Sequence, residues 1–290
     1  MHQAAVRALS FLENSLHPNN LYPVFIASDP AISRPQRRLY DYFSTAVITY
    51  LLPHGRLKKR LLDNFFSLTD KHLLFTFSPD MDYPPDTDTN SFIYSLLLSE
   101  GYPVTQQAHL VMDEIVRYSR DGVVQVWLDT SRKNHFDPVV AVNAQVLACL
   151  LHRQKDLTGN LEFIRNHLIS GRFRSGTRYY HDPRTFLFFL ARLALIDHNF
   201  SQLIISRFQD ISSYLQPTSC QPIALAQSVI LSKMMNLNFD MLMQKLLSLQ
   251  REDGSLPSGA LFRFGNRAGY FGSEFISTAF FIYALNFKIK

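Results

Sequence analysis

The chain has few of the residues that mark a redox, metal-binding or secreted scaffold. Of its 290 residues only two are cysteine, Cys149 and Cys220, and their separation matches no metal or redox spacing. The longest apolar tract, 186–196, is interrupted by Arg192 and is too short to span a bilayer. No charged and then apolar leader opens the chain. These absences predict a cytoplasmic protein, with attachment to a membrane surface as the alternative.

The composition is that of a globular protein with ample core. Hydrophobic residues make up 47% of the chain and charged residues 18%, with a net charge of +5. A positive balance favours anionic partners, such as a phosphorylated ligand, an acidic lipid surface or a nucleic acid. The basic residues are scattered in short runs, however, as on solvated helix faces. We therefore expect no nucleic-acid partner and keep peripheral membrane contact as an alternative.

Six apolar, helix-length segments recur along the chain. Their phase marks are Ala46, Ser91, Ala144, Phe186, Ala226 and Ala279, which lie 40 to 53 residues apart. A more amphipathic helix precedes each, at 3–15, 55–68, 104–119, 158–170, 200–215 and 238–250. A helix that is apolar all round is buried, whereas a striped helix faces water on its back. The alternation predicts an all-α fold, an (α/α)6 toroid of six inner and six outer helices, in a single domain over residues 1–290.

Acidic residues mark the starts of the inner helices. In a toroid the inner helices run parallel, so their N-termini gather at one mouth of the central cavity. The acids expected there are Asp41, Asp86, Asp88, Asp137, Asp182 and Glu274. The long irregular loops 17–43, 71–86 and 251–272 belong to the same end, and we expect segment 256–270, with Phe262, Arg263 and Arg267, to fold over the mouth as a lid.

The densest acidic cluster has two interpretations. Asp80, Asp82, Asp86 and Asp88 fall within nine residues. Carboxylates this close repel one another, which keeps a proton on one of them and suits general-acid chemistry. The commoner interpretation is a helix N-terminus, where Asp and Thr cap free N–H groups. The local sequence leaves both open.

The run Asp86-Thr87-Asp88-Thr89 is similar to the Asp-x-Asp-Asp motif of class II terpene cyclases, and closer to the Asp-x-Asp-Thr variant of drimane-type sesquiterpene cyclases. A second run, 250–256, resembles the Gln-x-x-Asp-Gly-Ser-Trp repeat of the squalene-hopene cyclase and prenyltransferase toroids, with Leu256 in place of the Trp. The resemblance implies that Asp88 protonates an alkene or epoxide and that Asp86 supports it. Thr89 and Asn90 replace the third acid and the Thr of the common motif.

The resemblance also implies a linear isoprenoid as substrate, no metal site and no cofactor, with Mg²⁺ only if the substrate is a diphosphate. Since this chain has one toroid where familiar cyclases have two, a homodimer is one way to shield the cavity. The expected substrate-binding residues are Thr89, Asn90, Tyr94, Asn143, Tyr180, His181, Asp182, Phe188 and Phe281. Helix capping and core packing are the commoner explanations for several of them. His181 is the side chain expected to orient Asp88.

Two other functions fit the same pattern. Six-fold toroids also carry glycoside hydrolases and polysaccharide lyases, for which Asp88 with Asp137 or Asp182 would form an acid–base pair. The single tryptophan, Trp127, argues against a sugar platform. A non-catalytic toroid that binds a hydrophobic ligand or a protein partner is the third candidate, and it predicts exposed acids and a filled centre.

Overall fold

The computed structural model describes residues 1–215, 221–265 and 269–287, so Cys220 and Arg267 lie outside the described residues. Within these ranges the helices are α1 (His2–Ser15), α2 (Tyr42–Leu51), α3 (Arg56–Thr69), α4 (Thr87–Ser99), α5 (Thr105–Arg117), α6 (Pro138–Leu150), α7 (Thr158–Ile169), α8 (Pro183–Ala194), α9 (His198–Ser206), α10 (Phe208–Ser212), α11 (Pro222–Met234), α12 (Asp240–Ser248) and α13 (Glu274–Asn286). Four strands accompany them: β1 (Pro23–Ala27), β2 (Arg37–Tyr40), β3 (Gly259–Arg263) and β4 (Tyr270–Ser273).

The helices alternate between fully buried and one-sided, which confirms the predicted toroid. Every residue from Pro138 to Cys149 of α6 is buried, whereas α5 buries only one stripe of its surface. Each inner helix packs on the next in the order α2, α4, α6, α8, α11 and α13, and α13 packs on α2 to close the ring. None of the described helices is long and apolar enough to cross a membrane.

The fifth outer segment departs from the predicted single helix over 200–215. It divides into α9 and α10, because the N–H of Arg207 bonds the carbonyl of Ile204 (3.1 Å) and tightens the last turn of α9. Short 3₁₀ turns also occur at Gln154–Leu157 and Arg172–Ser175.

A four-stranded antiparallel sheet forms within the segments expected to be irregular loops. Its order is β2-β1-β4-β3, with Phe25 opposite Gly272 and Gly259 opposite Ser273. Gly272 permits this pairing, because a Cβ there would lie 1.9 Å from the carbonyl oxygen of Gly259. The sheet joins segments more than 200 residues apart in sequence, so local patterns do not reveal it.

The repeat-like run at 250–256 ties the last outer helix to the first. Gln250 Nε2 donates to the carbonyls of Ala4 and Gly254, at 2.9 and 3.1 Å. Gly254 has a φ of +93°, and a Cβ there would lie 2.4 Å from the carbonyl oxygen of Arg7. Glycine is therefore required at this position for two reasons, which are its backbone conformation and the close approach of α1.

We expect Gly254→Ala to destabilise the protein more than Gly101→Ala, as measured by urea unfolding. Gly101 is the matched control because its φ is +79° but a Cβ added there would meet no other atom within 4 Å. The left-handed conformation costs an alanine about 1–2 kcal/mol at either site. The clash with Arg7 adds roughly 1–3 kcal/mol at Gly254 only. Equal losses in the two variants would contradict the close approach.

Candidate active site

A cavity of about 450 Å³ opens at the end of the ring where the inner helices begin. Its volume is in the range of small-molecule binding sites. The start of α4 contributes Asp86, Asp88 and Thr89, and the sheet contributes Phe262 and Phe271. The remaining lining residues are Phe43, Phe77, Tyr83, Val126, Trp127, Arg132, Lys133, His135, Val140, Arg178, Tyr179, Tyr180, Arg263, Phe264 and Gly265. The site thus combines two acids, an aromatic wall and several cations.

Asp86 is the N-cap of α4. Its Oδ1 accepts the backbone N–H of Thr89 at 2.7 Å, and its Oδ2 has no hydrogen-bond partner among the described residues. Burial raises the pKa of Asp86 to about 6, although the Thr89 hydrogen bond opposes the rise. Asp86 therefore serves as the helix cap and also stays close to protonation at neutral pH.

Asp88 lies in the first turn of α4 with 8% of its surface exposed. Asn143 Nδ2 on α6 donates to its Oδ1 at 2.6 Å, and the Tyr180 hydroxyl donates a short hydrogen bond to its Oδ2. Burial raises the pKa of Asp88 to about 7. The two hydrogen bonds lower this pKa, and the nearby Asp86 and Asp137 raise it further. Asp88 can consequently hold a proton at neutral pH, and its side chain lines the cavity.

The segment that carries Tyr180 is fixed by the cap of α6. Asp137 Oδ1 accepts the N–H of Val139 at 2.8 Å, and its Oδ2 accepts the N–H of Tyr179 at 3.1 Å. Tyr180 N–H donates to Thr177 Oγ1 at 3.1 Å. The carboxylate of one inner helix thus holds the loop that leads into the next, and the phenol of Tyr180 reaches Asp88.

The remaining predicted binding residues are divided between the cavity and the surrounding core. Thr89 and Tyr180 line the cavity. Asn90 instead accepts the N–H of Phe75 and donates to its carbonyl. The Tyr94 hydroxyl donates to the carbonyl of Leu73. Asn143 contacts Asp88. Phe188 and Phe281 are buried in the ring core, and Phe188 packs edge-on against Phe280.

The hydrogen bond expected from His181 to Asp88 is absent among the described residues. The ring of His181 packs edge-on against Tyr270, 5.1 Å away, and burial lowers its pKa. The neighbouring Asp182 caps α8 and pairs with Arg184 at 3.0 Å. Consecutive residues at a helix start point in different directions, so Tyr180 reaches the acid and His181 points toward the sheet.

The sequence predicted Arg263 at the mouth of the cavity but not the three other cations that line it. Arg132 stacks over the ring of Tyr83 at 4.5 Å, and Tyr83 stacks in turn on Trp127 at 5.9 Å. Arg132, Lys133 and Arg178 come from two loops, and the only sequence signal for them is an Arg-Lys pair shortly before the α6 cap. Arg263 is held differently, since its guanidinium donates to the carbonyls of Arg178 and Thr177 at 3.1 and 2.9 Å.

The ring of inner and outer helices resembles the fold of solved type II terpene cyclases. A type II terpene cyclase from Scytonema, MstE, in complex with geranylgeranyl dihydroxybenzoate, has a TM-score of 0.70 and 14% identity, with 98% of this chain and 96% of that chain covered. A protein from Actinoplanes has a TM-score of 0.71 and 15% identity, with 98% of each chain covered. At these identities the likeness establishes the fold.

At the level of sequence, the chain is similar to sesquiterpene cyclases. Residues 33–152, which include Asp86 and Asp88, match the family described as the sesquiterpene cyclase astC-like C-terminal domain. The drimenol cyclase drtB from Aspergillus calidoustus is 27% identical over 212 residues, which are 70% of this chain. The chain spans 38% of the length of that curated relative. These matches, together with the fold, support a resemblance of the chain to class II terpene cyclases, as the motif had predicted.

Burial of the acids predicts an unusual dependence of stability on pH. A carboxyl whose pKa is raised in the folded state stabilises the fold below its unfolded pKa of about 4. That contribution is lost as the pH rises through the folded pKa, which is about 7 for Asp88. We therefore expect the free energy of unfolding to fall between these values and to fall less steeply in Asp88→Asn.

Asp129→Asn is the control, because Asp129 is only partly buried and its hydrogen bonds with Ser131 lower its pKa. Urea unfolding at several pH values measures the slopes. A slope in Asp88→Asn as steep as that of the unmodified protein would show that Asp88 titrates like an ordinary aspartate.

Proposed function

We propose that this chain is a class II terpene cyclase that starts the cyclisation of a linear isoprenoid by protonation, with Asp88 as general acid and Asp86 as its support. The observation that carries the proposal is a buried, hydrogen-bonded Asp88 whose pKa is raised to about 7 beside an aromatic cavity. Enzymes raise carboxyl pKa values in this way to provide acids at neutral pH. We further propose that residues 1–290 act as one toroid domain.

In the first step the O–H bond of Asp88 breaks and a C–H bond forms at a carbon of the substrate alkene. The π electron pair makes the new bond, which leaves a cation on the neighbouring carbon and a carboxylate on Asp88. Asn143 and Tyr180 already donate to both oxygens of that carboxylate. Donors placed where charge develops lower the barrier without further reorganisation. Loss of a proton from the final cation completes the cyclisation.

The wall of the cavity suits a migrating cation. Phe43, Phe77, Phe262 and Phe271 line it, and Phe262 packs edge-on against both Phe43 and Phe77. Ring faces attract cations without offering a nucleophile. The sesquiterpene cyclase family match supports a substrate of sesquiterpene length.

A carbocation must also be kept from water. The sheet supplies the cover, because Phe262, Phe264 and Phe271 stand on β3, just after it and on β4, and all three line the cavity. The N–H of Arg263 bonds the carbonyl of Tyr179 at 2.7 Å, which fixes this cover to the loop before α8. We propose that the sheet is the principal shield and that a homodimer or peripheral membrane contact would add cover only from outside.

The cations at the mouth favour an anionic head group. Arg132, Lys133 and Arg178 all line the cavity, and guanidinium and ammonium groups bind phosphate oxygens well. A linear isoprenoid diphosphate would place its charged end there and its apolar tail among the phenylalanines. Should Mg²⁺ accompany such a substrate, its part would be to balance the charge of the diphosphate.

The two rival functions have less support. As an acid–base partner Asp137 is poorly placed, because its two oxygens accept backbone N–H groups, and Asp182 is paired with Arg184. A non-catalytic toroid would expose Asp86 and Asp88, yet both are buried beside the cavity. The aromatic lining likewise suits an isoprenoid better than a sugar.

We expect Asp88→Asn to lower the turnover of a linear isoprenoid diphosphate by about 10²–10⁴-fold, which is the usual contribution of a general acid. Asp182→Asn is the control and should keep turnover within a few-fold, since Asp182 lies at another helix start in an ion pair. Product formation is measured by gas chromatography for diphosphates of three chain lengths. Undiminished turnover by Asp88→Asn would disprove the assignment of the acid.

Removing the positive charges of Arg132 and Lys133 tests separately whether the substrate has an anionic head group. We expect Arg132→Gln with Lys133→Gln to raise the KM for an isoprenoid diphosphate by about tenfold or more, because charge-assisted hydrogen bonds are each worth about 1.5–3 kcal/mol. The KM for the corresponding free alcohol should change little. An equal rise for both substrates would mean that the cations shape the entrance instead of binding the charge.

A further inference from the structure

Arg192 is a buried charge with no carboxylate partner among the described residues. It projects from α8 inside the ring with 5% of its surface exposed, and no carboxylate of the described residues lies within ion-pair distance of it. Its guanidinium donates to Asn143 Oδ1 at 3.2 Å and to Ser95 Oγ at 2.5 Å. It also lies 4.2 Å from the ring centre of Phe92. Burying an unpaired charge is costly, so a purely structural role leaves its presence unexplained.

The contact with Arg192 determines which way the amide of Asn143 faces. An arginine has only donors, so the atom of Asn143 that meets it must be the carbonyl oxygen. The NH₂ group of Asn143 must then face Asp88 Oδ1, which is 2.6 Å away. Because this NH₂ can only donate, Oδ1 must accept and cannot direct a proton at Asn143.

The other oxygen of Asp88 has a different environment. Asp88 Oδ2 meets the hydroxyl of Tyr180, a group that can donate or accept. Tyr180 lines the cavity, whereas Asn143 is not among the lining residues that the structure describes. Asp88 therefore has an inner oxygen that must accept and an oxygen beside the cavity wall that is free to carry a proton.

We propose that Arg192 and Asn143 are positioning residues that keep the transferable proton of the acid on Asp88 Oδ2, beside Tyr180 and the cavity. The inference rests on the proposed function of Asp88 as the acid. Without Arg192, the amide of Asn143 can turn, present its oxygen to Asp88 and hold the proton on Oδ1, away from the cavity. The hydrogen bonds from Arg192 to Asn143 and from Asn143 to Asp88 thus link α8, α6 and α4 and hold the Asn143 amide in one orientation.

The charges around Asp88 are consistent with this arrangement. Asp86 from α4 and Asp137 from the start of α6 raise the pKa of Asp88, while Asn143 and Tyr180 lower it. Burial lowers the pKa of Arg192 to about 10, and Tyr50, Tyr283 and Asp88 oppose that fall. Arg192 therefore keeps its charge at neutral pH. Removing either Arg192 or Asn143 should raise the pKa of Asp88, because each removes a group that favours its carboxylate.

The experiment compares Arg192→Met, Asn143→Leu, the double variant and Arg192→Lys. Each single change should lower kcat by about 10²–10³-fold, in the range found for lost oxyanion donors. KM should change less than about threefold, because neither residue lines the cavity. The alkaline limb of the kcat profile should move to higher pH, since a protonated Asp88 is required. The double variant should be no slower than the slower single variant, and Arg192→Lys should recover part of the rate.

The matched control is Gln145→Leu. Gln145 is another buried amide on α6, two residues from Asn143, and it contacts Asn160 at 3.3 Å instead of Asp88. The Gln145→Leu change should leave kcat and the pH profile unchanged. Multiplicative losses in the double variant, or an equal loss of kcat in Gln145→Leu, would overturn the proposal.

A carboxyl titration of Asp88 by NMR separates this inference from the proposed function. It needs no substrate and should show a higher pKa in Asn143→Leu and in Arg192→Met than in the unmodified protein. If Arg192→Met fails to fold, Asn143→Leu and Arg192→Lys decide the outcome. An inactive Asp88→Asn together with an unchanged kcat and Asp88 pKa in Asn143→Leu would overturn the positioning role alone. Undiminished turnover by Asp88→Asn would overturn the proposed function itself.

Discussion

The structure depends on capping helices that begin inside the protein. The first N–H groups of a helix lack intrahelical partners, and burial without a substitute for water is costly. Asp41, Asp86 and Asp137 supply that substitute at the starts of α2, α4 and α6. Because all three carboxyls are buried, their pKa values are raised, to about 7 in Asp41 and about 6 in Asp86. Two of these caps, Asp86 and Asp137, also raise the pKa of Asp88.

The two remote chain segments that form the sheet add what the helical ring lacks. Six buried helices can form a hole, but the mouth of that hole needs a cover. Strands β1 and β2 follow α1, and β3 and β4 precede α13, so the ring closure between α13 and α2 also brings the strands together. The aromatic cover of the cavity is therefore a consequence of the same closure that completes the toroid.

The sequence predicted the ring well, since helix periodicity is local and repeats with each pair of helices. It did not predict the sheet, because pairs such as Phe25 with Gly272 depend on distant segments. The motif indicated the candidate acid, but it did not indicate the partners of that acid. Tyr180 and His181 are adjacent in sequence, and only the loop held by Asp137 decides which of them reaches Asp88. Arg132, Lys133 and Arg178 come from loops without periodicity, so the adjacent Arg132 and Lys133 are the only sequence signal for them.

The guanidinium of Arg192 has an effect beyond its hydrogen bonds. It is a buried positive charge that reaches Asp88 through Asn143, while Arg132, Lys133 and Arg178 line the cavity. In the proposed reaction, a cation formed in the cavity would be repelled by these side chains and attracted to the ring faces of Phe43 and Phe262. In the proposed reaction such a cation would lie between these rings and the carboxylate left on Asp88, away from the positively charged mouth.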